Sequence, residues 1–428
     1  MTTALVAPIT ENEHFTSHGD HDATFAIMQG AINRFKDAAV DAVIDTRGLT
    51  VVVPDNNTDL PPENRIVIEA STGEGTARLT LLDGAHDQLA DKVGIDHDFY
   101  NRLLNAHPDL LAVNLNTLLH REPESRLLRM MKPISETDGE RLGRVDANFA
   151  VRAVLGAKYR PLDHASLLNT LLPVAQKQGL KVAHWHLDPK RFHVRFVAEQ
   201  QDVLALVSQD QRAEYWERKA QNSRIMQERG MKVGEIVSYG AMVRNSETGH
   251  SSLAVEPFAE IIRCLNGLIV AEAMRVYHTG RKQEETEDWL SGEARRLDDA
   301  AIFLKVRDRF VQATNEMMAQ RIATTLVGAT APITTPFEVP LLEFVSNVGV
   351  TFKLNKKEVG ILQEEVVNEL RVTGAPVSRF AISQGLTATA RRIGDNDRDF
   401  LRRADLERIG WRVLEDPVEK LLKAGREQ

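Results

Sequence analysis

The chain predicts an α+β protein with central antiparallel β-hairpins, a helix packed beside them and a helical C-terminal region. Three observations carry that expectation. Runs such as RIVIEA and KRFHVRFV alternate apolar with other residues, as half-buried strands do. LLNTLLPVAQKQG and the stretch 293–327 repeat apolar residues every three or four positions, as amphipathic helices do. Short polar turns, Asp188-Pro189 and ETGH, separate strand runs at hairpin spacing.

In order, residues 1–20 lack periodicity and read as a flexible tail. From His21 to Asp45 the apolar residues Phe25, Met28, Ile32, Phe35, Ala39 and Val43 predict a helix. LTVVVP, RIVIEA and TARLTLL predict strands, and AHDQLADKVG, DHDFYNRLL and PDLLAVNLNTLL predict helices, so 21–149 is an N-terminal α+β region. Residues 150–280 form a central hairpin-plus-helix core. A strand ends near Arg160-Pro161, and a helix starts at Asp163 or His164. LKVAHWHL and KRFHVRFV make a hairpin, 209–230 is a polar helical segment, and KVGEIVSYGAMVRNS pairs with SSLAVE. Pro257 suits the first position of a helix, which Phe258, Ile261, Ile262, Leu265, Leu268 and Ile269 continue at helical spacing. Residues 281–292 are a charged connector. The mainly helical region 293–428 opens with one long helix, from about Glu293 to Val327, as the self-association surface.

The hydrophobic fraction is 43% and the charged fraction 27%, which is ordinary for a globular protein. No uninterrupted apolar run approaches the roughly 18 residues of a membrane span. The N-terminus lacks the basic start and apolar segment of a secretory signal. A single cysteine makes no internal disulfide and suits a reducing cytoplasm. Residues 1–150 carry 13 Lys and Arg against 24 Asp and Glu, 151–282 carry 19 against 13, and 283–428 carry 21 against 24. A basic middle between acidic flanks attracts a polyanion locally.

The middle offers cations for phosphates and flat groups for bases. Lys190, Arg191 and Arg195 lie on one hairpin. Tyr215 and Trp216 alternate with Arg218, Lys219 and Arg224, and Arg229, Lys232 and Arg244 follow. Asn245, Ser246, His250 and Arg263 complete the candidate nucleic-acid-binding set. Against it stands a solvated charged helix anchored by its aromatics. His184 and His186 share a strand face, and His193 joins them if Pro189-Lys190 are the two loop residues, which makes a candidate zinc site. A one-residue slip removes His193, and ordinary sheet histidines are the simpler account. Cys264 with His250 and Asn266 suggests a thiol nucleophile, but Cys264 borders an apolar face, where cysteine is a small hydrophobe. DNDRDFLRRADLE lacks the Gly and the final Glu of an EF-hand. No Walker, HExxH or GxSxG motif occurs.

NSETGHSS, RCLNGL and the upstream YRPLDHASLL resemble a family of phage- and plasmid-encoded proteins that share a domain of unknown function. The matching positions are Tyr159, Pro161, Leu162, Asn245, Ser246, Gly249, Ser251, Arg263, Cys264 and Asn266, within roughly residues 150–280. Thr248 stands where many relatives carry Asp. A hairpin sheet with a helix is also similar, at the level of fold, to phage single-strand annealing proteins. These resemblances imply a cytoplasmic, oligomeric nucleic-acid-binding protein with single-stranded DNA as its favoured partner, no membrane association and no cofactor, serving annealing or recombination. The alternatives are a metal- or thiol-dependent enzyme acting on nucleic acid, and a protein-binding structural or anti-defence factor.

Overall fold

The computed structural model describes residues 21–55, 59–72, 75–134, 136–198, 206, 208–210, 237–261, 266–270, 274–276, 292–333, 340–373, 376–393 and 397–423. Two sheets organise it. The first contains β1 (Ala39–Asp45), β2 (Leu49–Val52), β3 (Val67–Thr72), β4 (Gly75–Leu81), β5 (Ser125–Met131) and β6 (Phe149–Gly156), in the order β1-β5-β6-β4-β3-β2. All neighbours are antiparallel except β4 and β6. Helices α2 (Asp83–Val93), α3 (His97–Ala106) and α4 (Pro108–Arg121) cover one face, closing a core with Ile68, Leu79, Leu89, Leu115, Leu128 and Val154. Because β6 is hydrogen-bonded between β5 and β4, this sheet extends past residue 149.

The second sheet contains β7 (Leu180–Leu187), β8 (Phe192–Ala198), β9 (Val237–Asn245), β10 (Leu253–Ile261), β11 (Asn266–Ile269) and β12 (Met274–Val276). Its order is β11-β10-β9-β8-β7, with β12 also pairing β10. Both of its faces are covered. On one side α1 (His21–Ala38), α6 (His164–Lys177) and α7 (Gly292–Ala313) pack against Val194, Phe196, Ala241, Val243 and Val255. On the other, Met242 and Phe258 meet Ala404 of α12 (Asp397–Glu415), while Ala259 and Leu268, at the β11 end of the sheet, pack with α8 (Glu316–Ala329), α11 (Arg379–Arg392) and α12. The α5 helix is Glu136–Gly143. With α9 (Leu341–Thr351), α10 (Lys356–Thr373) and α13 (Val418–Lys423), α11 and α12 close a separate helical core around Val348, Leu362, Leu386 and Leu406. The protein is α+β with antiparallel hairpins and a helical C-terminal region. Among the described residues no helix is long and apolar enough to cross a membrane.

Three expectations are corrected. The helix expected through residue 45 stops at Ala38, where AVDAVID alternates and joins β5 as an edge strand. The helix expected from Pro257 is instead the second half of β10, with β11 after it. A stretch buried on both faces of a sheet has apolar residues at every spacing, so periodicity cannot separate it from a buried helix. Pro257 keeps its place in the strand as an acceptor, its carbonyl accepting from the Val270 amide (2.9 Å). Its missing N–H points to the same side, between the β11 ladder from Phe258 and the β12 ladder up to Val255. The long helix from Glu293 breaks at Thr314, and Asn315 caps α8 by accepting from the Met318 amide (2.9 Å).

Candidate functional site

The first half of the 245–252 turn between β9 and β10, residues 245–248, is buried and does not face solvent. It is driven against the first sheet, and a bulge in β6 prepares the surface it meets. Arg129 pairs with Ala153 but Met130 with Val151, so Arg152 is the extra residue. Val151 and Val154 stay in the core under α2 to α4, while Ala153 packs with Leu127 and Leu155 in a cluster of its own. Arg129 on β5 and the bulged Arg152, both buried, reach the turn.

Glu247 lies between them. Its Oε2 accepts from Arg152 Nη2 (3.1 Å) and lies 3.6 Å from Arg129 Nη1, which donates to the Glu247 carbonyl (2.8 Å). Its Oε1 accepts from the His164 amide (2.8 Å), so a distant loop caps the start of α6, where Asp163 makes no side-chain cap. Arg129 Nε donates to Asp41 (2.9 Å), and the Arg152 guanidinium stacks 4.4 Å over the Phe35 ring. Burial acts to raise the Glu247 carboxyl, but His164, Arg152 and Arg129 outweigh it and hold it at about 2. Burial pushes His164 down to about 4, so above that pH the arginines supply the compensating charge. The neutral His164 Nδ1 accepts from Asn245 Nδ2 (2.9 Å), which also donates to the Leu162 carbonyl (2.7 Å).

The rest of the turn is bonded as tightly. Ser246 and Thr248 hydroxyls donate to the Lys190 carbonyl (2.6 and 2.9 Å), and Ser246 Oγ accepts from the His250 amide (3.0 Å). Gln88 bridges the units, donating to the Thr248 carbonyl (2.7 Å) and accepting from the Val154 amide (2.9 Å). Gly249 is left-handed (φ 79°) and lies against Tyr159 and Leu155. His250 Nδ1 lies 2.9 Å from Thr248 Oγ1, and burial together with Lys190 and Arg191 lowers its pKa. Lys190 and Arg191 are half-buried on the 188–191 turn, where both amides donate to Asp188 Oδ1 (2.6 and 2.7 Å).

The cations expected on one groove separate. Arg195 donates to both oxygens of Glu407 on α12 (2.9 and 2.8 Å) and covers the Phe258 ring. Arg244 pairs with the fully buried Glu256 (3.1 Å), which also takes Arg408 (2.7 Å). Arg244, Asn245 and Ser246 are buried, so among the described residues these three add nothing to an exposed track beside the 245–252 turn. Arg195, Arg244, Asn245 and Ser246 are taken up by the fold because both sheet faces and residues 245–248 are covered. Tyr215, Trp216, Arg218, Lys219, Arg224, Arg229, Lys232, Arg263 and Cys264 lie outside the described residues.

The histidine register is the one a shared site needs, with His186 opposite His193 and His184 opposite Arg195 in unbroken pairing, the bulge falling at Ala183. The rings nevertheless stack, with His193 lying 5.3 Å from His184 at 18° and 5.2 Å from His186 at 21°. His186 Nε2 is bonded to Asp188 (2.9 Å). Burial, then the two neighbouring histidines, pushes His193 well below its ordinary pKa. Among the described residues no group of three or more His, Cys, Asp or Glu side chains is placed to hold a metal ion.

Sequence reasoning missed Arg129, Arg152, Glu247, Glu256 and Gln88. The signal was there for three of them. A lone charge inside an apolar strand, as in LLRMM, FAVRAV and LAVEPF, is stable when buried only if a partner reaches it. Comparison of the chain with protein-family models, with curated proteins and with solved structures finds no match.

Proposed function

We propose that the protein binds nucleic acid, single-stranded DNA in particular, with the Glu247 lock as the frame and the binding residues at the far end of the second sheet. The supporting observation is the strand register. Ala198, Val237, Ile261 and Asn266 end their strands on the same side, opposite the locked turn. The residues that flank segments 199–236 and 262–265 therefore lie together at that end of the sheet. Residues 211–232 hold six Arg and Lys against three Asp and Glu, together with Tyr215 and Trp216, and segment 262–265 contains Arg263. Cations to hold phosphates beside aromatics to stack on bases are what a single strand requires. Annealing or recombination is the process this chemistry serves.

The test is fluorescence anisotropy with a labelled single strand and its duplex at two ionic strengths. The paired change is Arg224→Glu with Arg229→Glu, since altering the buried Arg244 would test the fold instead. The parent should bind the single strand more tightly, with affinity falling steeply as salt rises. The variant should lose roughly tenfold or more and show a shallower salt slope by about 0.7 per lost phosphate contact. Binding that is absent in the parent, or unchanged in the variant, removes the proposal.

A further inference from the structure

Helix α7 is amphipathic twice over. One face is spent on the core through Phe303, Val306, Phe310 and Ala313, all buried. The opposite face carries Leu297, Leu304 and Val311, which are 66%, 47% and 38% exposed, with the small exposed Ala300 and Ala301 between them. Residues seven apart on a helix fall in one row, so these three line up, with Ala300 and Ala301 filling the gap before Leu304 and Arg307 and Asp308 flanking the gap after it.

We propose that this row pairs with α7 of a second copy of the chain, antiparallel, with Leu304 at the two-fold axis. A two-fold contact must be self-complementary. Leu297 and Val311 are equally far from Leu304, so an antiparallel copy brings each Leu297 against a Val311 and leaves no large side chain of the row unmatched. Ala300 and Ala301 let the backbones approach. The charges select the direction. At about 100° per residue, Lys305 and Asp308 lie on one flank of the row and Arg307 on the other. A parallel pair sets opposite flanks together, bringing Lys305 against Arg307, and aligns Asp308 with Asp308. An antiparallel pair sets like flanks together, turning Lys305 toward Asp308 of the second copy and Asp308 toward Ala300 and Ala301. Arg307, which bonds Asp308 within the helix (2.9 Å), stays at the rim. One helix pair buries less than the ~800 Å² per partner of a standard interface, so the dimer is a concentration-dependent one in the micromolar range.

This proposal is independent of nucleic-acid binding, and its test uses the full chain without nucleic acid. Sedimentation across the micromolar range should show a monomer–dimer equilibrium that Leu304→Glu shifts to monomer, with unchanged circular dichroism because the side chain is exposed. In a Cys264→Ser background, Leu304→Cys should form disulfide-linked dimers under mild oxidation. Leu297→Cys alone should not, whereas Leu297→Cys combined with Val311→Cys should. A chain that stays monomeric, a dimer indifferent to Leu304→Glu, or cross-linking by Leu297→Cys alone as fast as by Leu304→Cys overturns the inference.

Discussion

Glu247 sits within reach of two arginines from another sheet, and removing its charge leaves both buried without it. Breaking a buried pair in this way costs about 3–5 kcal/mol, so Glu247→Gln should lower the urea midpoint by a correspondingly large step. The pH dependence follows from the same residues. Glu247 is held at about 2 from an ordinary 4.5. Its contribution is therefore present above about 4.5 and is lost as pH falls toward 2. His164 drops from 6.5 to about 4. The unfolded chain takes up that proton first, so stability falls as pH descends from 6.5 to 4. His86, His193 and His250 are also shifted down, each by burial first. Urea titrations at pH 7 and pH 4.5 should show this loss, and His164→Gln should reduce the slope without abolishing it.

Among the elements, β9 shows how close packing fixes a register. A Cβ on Gly240 would lie 1.7 Å from the Phe196 carbonyl oxygen and 2.9 Å from Val197 Cα. Those are backbone atoms of the neighbouring strand, so no side-chain rotation relieves the clash. Gly240→Ala should cost more than about 4 kcal/mol, read as loss of soluble folded protein or a large fall in melting temperature. Gly328, with nothing near its Cβ position, is the control, and Gly328→Ala on α8 should be neutral or slightly stabilising. Most elements were legible because their apolar residues follow the period of the structure they form. Hairpin β7–β8 and helix α6 are examples. The β10–β11 hairpin was not, because burial on two faces erases the alternation that marks a strand.

At the scale of the molecule, the uneven charge along the sequence is partly consumed by the fold. Arg160 of the basic middle pairs with Asp298 and Asp299 of the C-terminal part, and Arg195 pairs with Glu407. A block sum therefore overstates the positive potential left for a polyanion. The two sheets are joined by charge at Glu247 and by apolar packing, since Met131 and Ala150 of the first share a core with α6 and β8.

The sequence alone determined the α+β class and the order of most helices and strands, because those depend on local periodicity and turn chemistry, whereas the register of the β7–β8 hairpin stayed open until the structure paired His186 with His193. Only the tertiary structure decided what the charged residues do. Whether an arginine grips a ligand or a buried carboxylate depends on what packs over it, and Glu247, Glu256 and Glu407 come from 95 to 212 positions away or from across a hairpin. Local sequence carries no record of that proximity. The lone charges in apolar strands showed that partners were needed, and the fold supplied them.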